Sequence, residues 1–143
     1  MKISFIRPSY QRFYLAHKKE IDFAIQSCLK RGELTLRKEV NDLENTLAKF
    51  IGTRYAVSTN SGTDALFLSL KALGIKEGDE CISVSHTFIA PIQAIVHCGA
   101  IPVLIDVKED ELMDVDQLEK AITPATKAIS PCISRVKCAI CQG

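Results

Sequence analysis

The sequence predicts an α/β fold with a mostly parallel sheet and helices on both faces. From residue 54 onward, short apolar runs alternate with stretches in which apolar residues recur every three or four positions. The short runs are apolar at successive positions, which is typical of parallel strands buried on both faces. Glycines stand where most of the predicted helices of the chain end. We therefore expect a helical segment over residues 1–53 and a partial α/β domain over residues 54–131.

Two helices are predicted in the first segment. Ile21, Ile25 and Leu29 give an i, i+4 spacing within residues 13–29, and Gly32 is a suitable helix stop. Four apolar residues share one face of a second helix, which Gly52 ends: Val40, Leu43, Leu47 and Phe50.

The remaining elements alternate between strand and helix. Strands are predicted over residues 54–59, 80–84, 101–107 and 127–130. Helices are predicted over residues 65–73, over residues 88–98 with Thr87 as cap and Pro91 in the first turn, and over residues 115–121 with Asp114 as cap. Right-handed crossovers place the loops that follow parallel strands along one edge of the sheet. The loops at residues 60–64 and 85–88 should share that edge.

Composition excludes several classes of protein. The chain has 143 residues, of which 47% are hydrophobic, enough for a packed core. Eighteen Lys and Arg residues balance 17 Asp and Glu residues, so no excess charge attracts nucleic acid or an anionic membrane. No apolar run approaches the roughly 18 residues of a membrane span, and the apolar stretch near the N-terminus is too short for a signal peptide. We expect a cytoplasmic protein.

The segment TNSGTDAL follows a predicted strand and opens a predicted helix. Gly62 allows close approach of a ligand to the backbone, and the free N–H groups of the first helical turn, with the hydroxyls of Ser61 and Thr63, favour an anion such as phosphate. The alternative is that Ser61 only caps the helix and Gly62 only makes a turn. Spacing alone favours neither this alternative nor the phosphate site. The segment is neither a dinucleotide fingerprint nor a nucleotide P-loop.

The segment SHTFIAP lies at the next strand end. Phe88 could stack on a flat ring held by the phosphate turn, although a lone Phe is more often a core residue. His86 is either a partner at that edge or a surface histidine. Asp106 ends an apolar strand and more often begins a turn than serves a function. His17 and His97 indicate no metal site.

At these residues the chain resembles a known family. GELTL, the run EVNDLENTLAKFIGTRYAVSTNSGTDALFLSLKALGIKEGDE, the run SHTFIAPIQAIVHCGAIPVLIDV and then AITPATKAI are similar to the DegT/DnrJ/EryC1/StrS aminotransferases, in that order. These are pyridoxal-phosphate (PLP) enzymes of fold type I, most of which act on nucleotide-linked keto sugars. The resemblance implies that the chain is part of the large PLP-binding domain of such an enzyme. It further implies a nucleotide-sugar substrate, an amino-acid donor such as glutamate, and a homodimer when complete.

The resemblance implies roles only for matching residues. Gly62 and Thr63 would hold the cofactor phosphate, and the ring of Phe88 would stack on the pyridine. The loop at residues 33–36 would lie near the active site, but Arg37 stands where the family usually has Gly. SHTFIA further resembles members that aminate a 3-keto deoxysugar carried on thymidine diphosphate.

Two parts of the family's chemistry have no match in the sequence. The Schiff-base lysine and the acidic partner of the pyridine nitrogen lie downstream of the matched region in this family. Lys127 begins a strand at a non-catalytic position. We therefore assign no catalytic residue in this chain and expect it to be inactive alone, with apolar strand faces that favour aggregation. The alternative function is a truncated relic or a phosphate-binding fragment without enzyme activity.

The last twelve residues depart from the resemblance. After Pro131 the family continues close to P-V-H-L-x-G-x-x-x-D-M, whereas this chain has PCISRVKCAICQG. Codons for this segment, when read from the third base of the Pro131 codon, permit V-H-L-T-G-K-V-C-D-M-P. We expect residues 132–143 to be an out-of-frame tail. A zinc or redox site at Cys138-x-x-Cys141 with Cys132 is the weaker alternative, because one CxxC pair is weak evidence for metal.

Overall fold

The computed structural model describes residues 10–32, residue 35 and residues 38–132. Contacts within the chain separate into two compact units, Met1–Val57 and Ser58–Gly143. The first unit contains two helices, α1 (Tyr10–Arg31), which is kinked at His17, and α2 (Lys38–Ile51).

Both helices of the first unit end at glycines, as the sequence predicts. Gly32 has a φ of 69° and Gly52 a φ of 82°, a backbone conformation that favours glycine. An ion pair between Arg31 and Glu39 joins the end of α1 to the start of α2. The bounds of these helices follow from their stop signals and not from burial, because only Ala48 is buried among their described residues.

The second unit is a three-stranded parallel sheet with helices on both faces, which confirms the predicted fold class. Its elements are α3 (Gly62–Ala72), β1 (Glu80–Val84), α4 (Ala90–His97), β2 (Ile101–Ile105), α5 (Val115–Ala121) and β3 (Thr126–Ser130). The strand order is β2-β1-β3, and both pairings are parallel.

The central strand β1 divides the core into two layers. Cys81 points towards α3 and α4 and packs with residues such as Leu70 and Ile95. Ile82 and Val84 contribute to the other layer, where partly buried residues of α5 pack against them. Cys81, Ile82, Val84 and Ile95 are fully buried. Complete burial of an aliphatic side chain contributes about 1.5–3 kcal/mol, so β1 is the strand that holds the unit together.

The predicted strand at residues 54–59 is absent, and that prediction was wrong. They belong to no strand of the described sheet, whose order is β2-β1-β3. A strand exists only where a neighbour takes its backbone hydrogen bonds. Tyr55 and Val57 are strongly exposed, which fits a segment without such a neighbour in the described part of the chain.

Two other boundaries also differ from the prediction. The helix after β1 starts at Ala90 and not at residue 88, so Thr87 does not cap it; Pro91 lies in its first turn as expected. Strand β2 ends at Ile105, because Val107 turns away to form an antiparallel bridge with Met113.

Asp114 caps α5 as predicted, and its carboxylate accepts a hydrogen bond of 3.0 Å from the backbone N–H of Asp116. Burial by itself would raise the pKa of Asp114. The hydrogen bonds from Asp116 and Gln117, with the nearby Lys108 ammonium, outweigh burial and lower this pKa below its ordinary value of 3.8.

A hydroxyl cluster ties the amino end of β3 to β1. The Thr123 hydroxyl donates to the Glu80 carboxylate at 2.5 Å, and the Thr126 hydroxyl donates to it at 3.3 Å. These bonds fix the turn between α5 and β3 against the central strand.

Candidate functional site

Helices α3 and α4 begin at the same edge of the sheet. Their carboxyl ends meet, because Lys71 Nζ donates to the Cys98 carbonyl at 3.3 Å and Gly99 lies against the backbone of Glu77. That meeting point lies at the amino edge, where the parallel strands begin. The backbone N–H of Ile101, the first residue of β2, donates there to the carbonyl of Asp79, the residue before β1. Because α3 packs along α4, both helices point their first turns towards the carboxyl edge of the sheet.

The first turn of α3 contains the predicted phosphate-binding residues. The Ser61 side chain accepts from the backbone N–H of Asp64 at 3.1 Å, and the Ser61 carbonyl accepts from the N–H of Ala65. The first N–H groups of a helix have no partner inside the helix. Gly62 and Thr63 thus keep N–H groups for which the described residues provide no acceptor. A Cβ added to Gly62 meets nothing within 4 Å, so the turn is open.

The hydroxyl of Ser61 is not available for an anion, which corrects one detail of the predicted site. It accepts from the N–H of Asp64 and donates to the Asp64 carboxylate, also at 3.1 Å. Ser61 is therefore a helix cap, as the simpler alternative held, while the backbone N–H groups next to it stay open. Asp64 is the residue that the sequence argument missed, although the pattern Ser-x-x-Asp before an apolar run is a known helix-start signal.

Phe88 lies in the loop between β1 and α4, at the same carboxyl edge. Its side chain is 75% exposed, so it is not a core residue. The backbone N–H of Ser85 donates to the Ile105 carbonyl at 3.0 Å and the Thr87 hydroxyl donates to Cys132 Sγ at 2.8 Å, so the loop is held on both sides of the exposed His86. An exposed aromatic ring on an anchored loop can cover the face of a planar ligand.

Two other residues singled out in the sequence have structural roles. Asp106 begins a turn: its carboxylate accepts from the N–H of Val107 at 2.9 Å, and its carbonyl accepts from the N–H of Asp114. Lys127 donates to the Pro124 carbonyl at 3.0 Å and lies at the amino end of β3, away from the carboxyl edge.

Several sequence predictions fall outside the described residues: the loop residues Glu33 and Arg37, and the tail pair Cys138 and Cys141. Among residues 10–32, 35 and 38–132, no group of three His, Cys, Asp or Glu side chains could hold a metal ion. None of the helices described is both long and apolar enough to cross a membrane. Burial raises the pKa of the Cys81 thiol, and Cys98 and Asp79 nearby add to this effect.

Comparison with known proteins supports the same family. Residues 16–133 match the model of the DegT/DnrJ/EryC1/StrS aminotransferase family. The chain is 42% identical over 123 residues to a UDP-2-acetamido-2-deoxy-3-oxo-D-glucuronate aminotransferase of Pseudomonas aeruginosa, covering 85% of the chain and 34% of that protein. It is 39% identical to a dTDP-3-amino-3,4,6-trideoxy-alpha-D-glucose transaminase of Micromonospora megalomicea, covering 86% of the chain and 33% of that protein.

Solved structures agree in fold. The S. venezuelae protein DesV superposes with a TM-score of 0.81 at 42% identity, over 85% of this chain and 33% of its own. The PLP form of a putative sugar aminotransferase from Streptococcus pneumoniae superposes with a TM-score of 0.71 at 38% identity, over 73% of this chain and 27% of its own. The chain spans about a third of the length of the curated relatives it matches.

Proposed function

Because the chain belongs to the DegT/DnrJ/EryC1/StrS aminotransferase family, we propose that its protein is a PLP-dependent enzyme that transfers an amino group from glutamate to a nucleotide-linked keto sugar. The observation that carries this proposal is the open first turn of α3 at the same sheet edge as the exposed Phe88. The names of the two curated relatives both refer to position 3 of a sugar, which favours a 3-keto sugar as the acceptor.

The residues fit the cofactor that the family implies. A phosphate dianion accepts strong hydrogen bonds from backbone N–H groups at a helix start, and the N–H groups of Gly62 and Thr63 are open there. The exposed ring of Phe88 would cover one face of the pyridine. When bound, PLP supplies the electron sink that allows an amino group to pass between an amino acid and a carbonyl carbon.

The carboxylate of Asp64 does not block the binding of a phosphate group at the neighbouring N–H groups. Its carboxylate is turned towards the Ser61 hydroxyl, with a hydrogen bond of 3.1 Å. Ser61 thus orients Asp64 and leaves the neighbouring N–H groups to the ligand. The lysine that holds the cofactor is expected from sequence outside these 143 residues, and no residue of this chain is proposed as catalytic.

A titration of the isotope-labelled chain tests the binding roles. The probe is pyridoxine 5′-phosphate, which has the ring and phosphate of the cofactor but cannot react with lysines. We expect shifts of the Gly62 and Thr63 amide signals that unphosphorylated pyridoxine does not cause, and shifts of the Phe88 ring signals with both ligands. Shifts confined to other residues would contradict the assignment.

Turnover separates the enzyme from the alternative of a phosphate-binding fragment. The complete protein, if it is an aminotransferase, releases more than one equivalent of 2-oxoglutarate per bound cofactor only when a nucleotide-linked keto sugar is present to accept the amino group, whereas a binding fragment gives the same titration without release. Parallel reactions with alanine and aspartate test the donor. Sedimentation tests the homodimer that the resemblance implies for the complete protein, and cell fractionation tests the cytoplasmic location, which stays a prediction.

The frame shift after Pro131 also stays a prediction. The family match ends at residue 133, two residues beyond the point at which the resemblance stops. Reading the DNA past the Pro131 codon in all three frames tests it: the shifted frame should continue with family-like sequence, and its absence would remove the explanation.

A further inference from the structure

A polar cleft in the first unit has no role in the proposed function. It lies between α2 and residues 54–56 and encloses about 300 Å³. Clefts that hold small molecules begin at about this volume, in a range of roughly 300–1,000 Å³. We call this surface the α2 cleft, and its polar side chains are those of Asn41, Glu44, Asn45, Arg54 and Tyr55.

Local hydrogen bonds form the α2 cleft in the absence of a ligand. The chain reverses at Gly52 after α2, and the backbone N–H groups of Gly52 and Thr53 donate to the carbonyl of the buried Ala48 at 2.9 and 3.0 Å. The Thr53 hydroxyl donates to the Tyr55 carbonyl at 3.0 Å. These bonds hold residues 54–56 beside the end of α2. A ligand that enters a preformed cleft does not have to order it, which favours binding.

The α2 cleft combines two opposite charges with two amides. Asn41 and Asn45 are four residues apart on α2 and so share one face of the helix, and each amide can both donate and accept hydrogen bonds. The Arg54 guanidinium lies 5.1 Å from the centroid of the Tyr55 ring. This cation–π contact orients the guanidinium, whose fork of N–H donors matches a carboxylate. Glu44 is half-buried and brings the negative charge.

We infer that the α2 cleft binds an α-amino acid with a carboxamide side chain. The carboxylate of such a zwitterion complements Arg54, and its ammonium group complements Glu44. The carboxamide matches the amides of Asn41 and Asn45 in donors and acceptors. The charges of the cleft cancel, so a ligand without net charge fits better than a phosphate or a dicarboxylate, whose excess negative charge would lie beside Glu44. This inference goes beyond the proposed function and is independent of the cofactor assignment.

A titration of the isotope-labelled 143-residue chain with L-asparagine tests the inference directly. We expect saturable shifts of the amide signals of residues 41–45 and 53–56, with a dissociation constant on the order of 1 mM, because exposed charge pairs are weak. N-acetyl-L-asparagine lacks the ammonium group and L-aspartate adds a second carboxylate, so each should bind about fivefold more weakly. Absence of saturable shifts at these residues, or equal affinities for the three ligands, would overturn the inference.

A matched pair of variants locates the bound carboxylate. Arg54→Gln removes the positive charge of the α2 cleft, and Lys49→Gln removes an exposed positive charge of α2 that does not line it. L-asparagine should bind about fivefold more weakly to Arg54→Gln and within about twofold of the parent to Lys49→Gln. Both variants should melt with the parent, because both side chains are exposed, and both should bind pyridoxine 5′-phosphate as the parent does. Equal binding of L-asparagine by the two variants would overturn the inference and leave the cofactor assignment untouched.

Discussion

Replacement of Gly62 by proline removes one of the two N–H groups proposed to bind phosphate and leaves the helix intact. Proline is favoured at the first helical position, which Gly62 occupies, because an N–H there has no helical acceptor. The preceding Ser61 has φ −155° and ψ 160°, an extended conformation that a following proline accepts. Gly62→Ala is the matched control: it keeps the N–H group, and its Cβ meets nothing within 4 Å.

The expected loss follows from the strength of one charge-assisted hydrogen bond. Such a bond contributes about 1.5–3 kcal/mol, so Gly62→Pro should weaken binding of pyridoxine 5′-phosphate by roughly tenfold to a hundredfold. Gly62→Ala should bind within about twofold of the parent chain, since it loses no donor. Binding of unphosphorylated pyridoxine should be equal in all three proteins.

Calorimetric titration gives the affinities, and thermal unfolding checks the fold. Gly62→Pro should not melt below the parent, because proline restricts the unfolded chain and stabilises by about 0.4–1 kcal/mol where its φ fits. If Gly62→Pro binds the phosphorylated ligand as tightly as Gly62→Ala, the N–H of Gly62 does not hold the phosphate, and that part of the site is wrong.

Three further predictions concern other residues. Phe88→Ala should weaken binding of both pyridoxine 5′-phosphate and pyridoxine. Its unfolding free energy should stay within about 0.5 kcal/mol of the parent, because the Phe88 ring is exposed. The control Phe50→Ala, which removes another exposed ring, should leave binding unchanged in the same titration. Thr123→Val should lower the unfolding free energy by about 1 kcal/mol in urea, since it deletes the hydrogen bond to Glu80, and an unchanged midpoint would show that this bond adds no stability. Because the pKa of Asp114 is lowered in the folded state, its carboxylate stabilises the fold above pH 3.8, and this stabilisation is lost as the pH falls through the lower pKa of the folded state. Asp114→Asn should therefore make the unfolding free energy, measured in urea, fall less steeply in acid. An equally steep fall in the parent and the variant would contradict this.

Elements with complete local signals were predicted correctly from the sequence. The strand at residues 80–84 was predicted with its observed bounds, because an apolar run lies between Gly78 and the polar loop that begins at Ser85. The helix capped by Asp114 also has its predicted bounds, because an Asp cap acts through the backbone next to it. In both cases the deciding interactions lie within a few residues.

Elements that depend on distant partners were predicted less well. Residues 54–59 have a strand-like composition, but pairing depends on a neighbour that no local pattern reveals. Thr87 was expected to cap a helix, and instead its hydroxyl contacts Cys132, which is 45 residues away. In the candidate site, the positions of Gly62 and Phe88 follow from the order of strands and helices. The use of the Ser61 hydroxyl within its own turn does not follow from that order, because it depends on the rotamers of Ser61 and Asp64.

The common direction of α3 and α4 has an electrostatic consequence. Aligned peptide dipoles give each helix a partial positive charge at its amino end, and here two such ends lie at one edge of the sheet. Peptide groups do not titrate, so this attraction for an anion should stay constant from mildly acidic to mildly alkaline pH. The second ionisation of a phosphate monoester lies near pH 6, so the ligand's own charge would govern how binding through these peptide groups varies with pH.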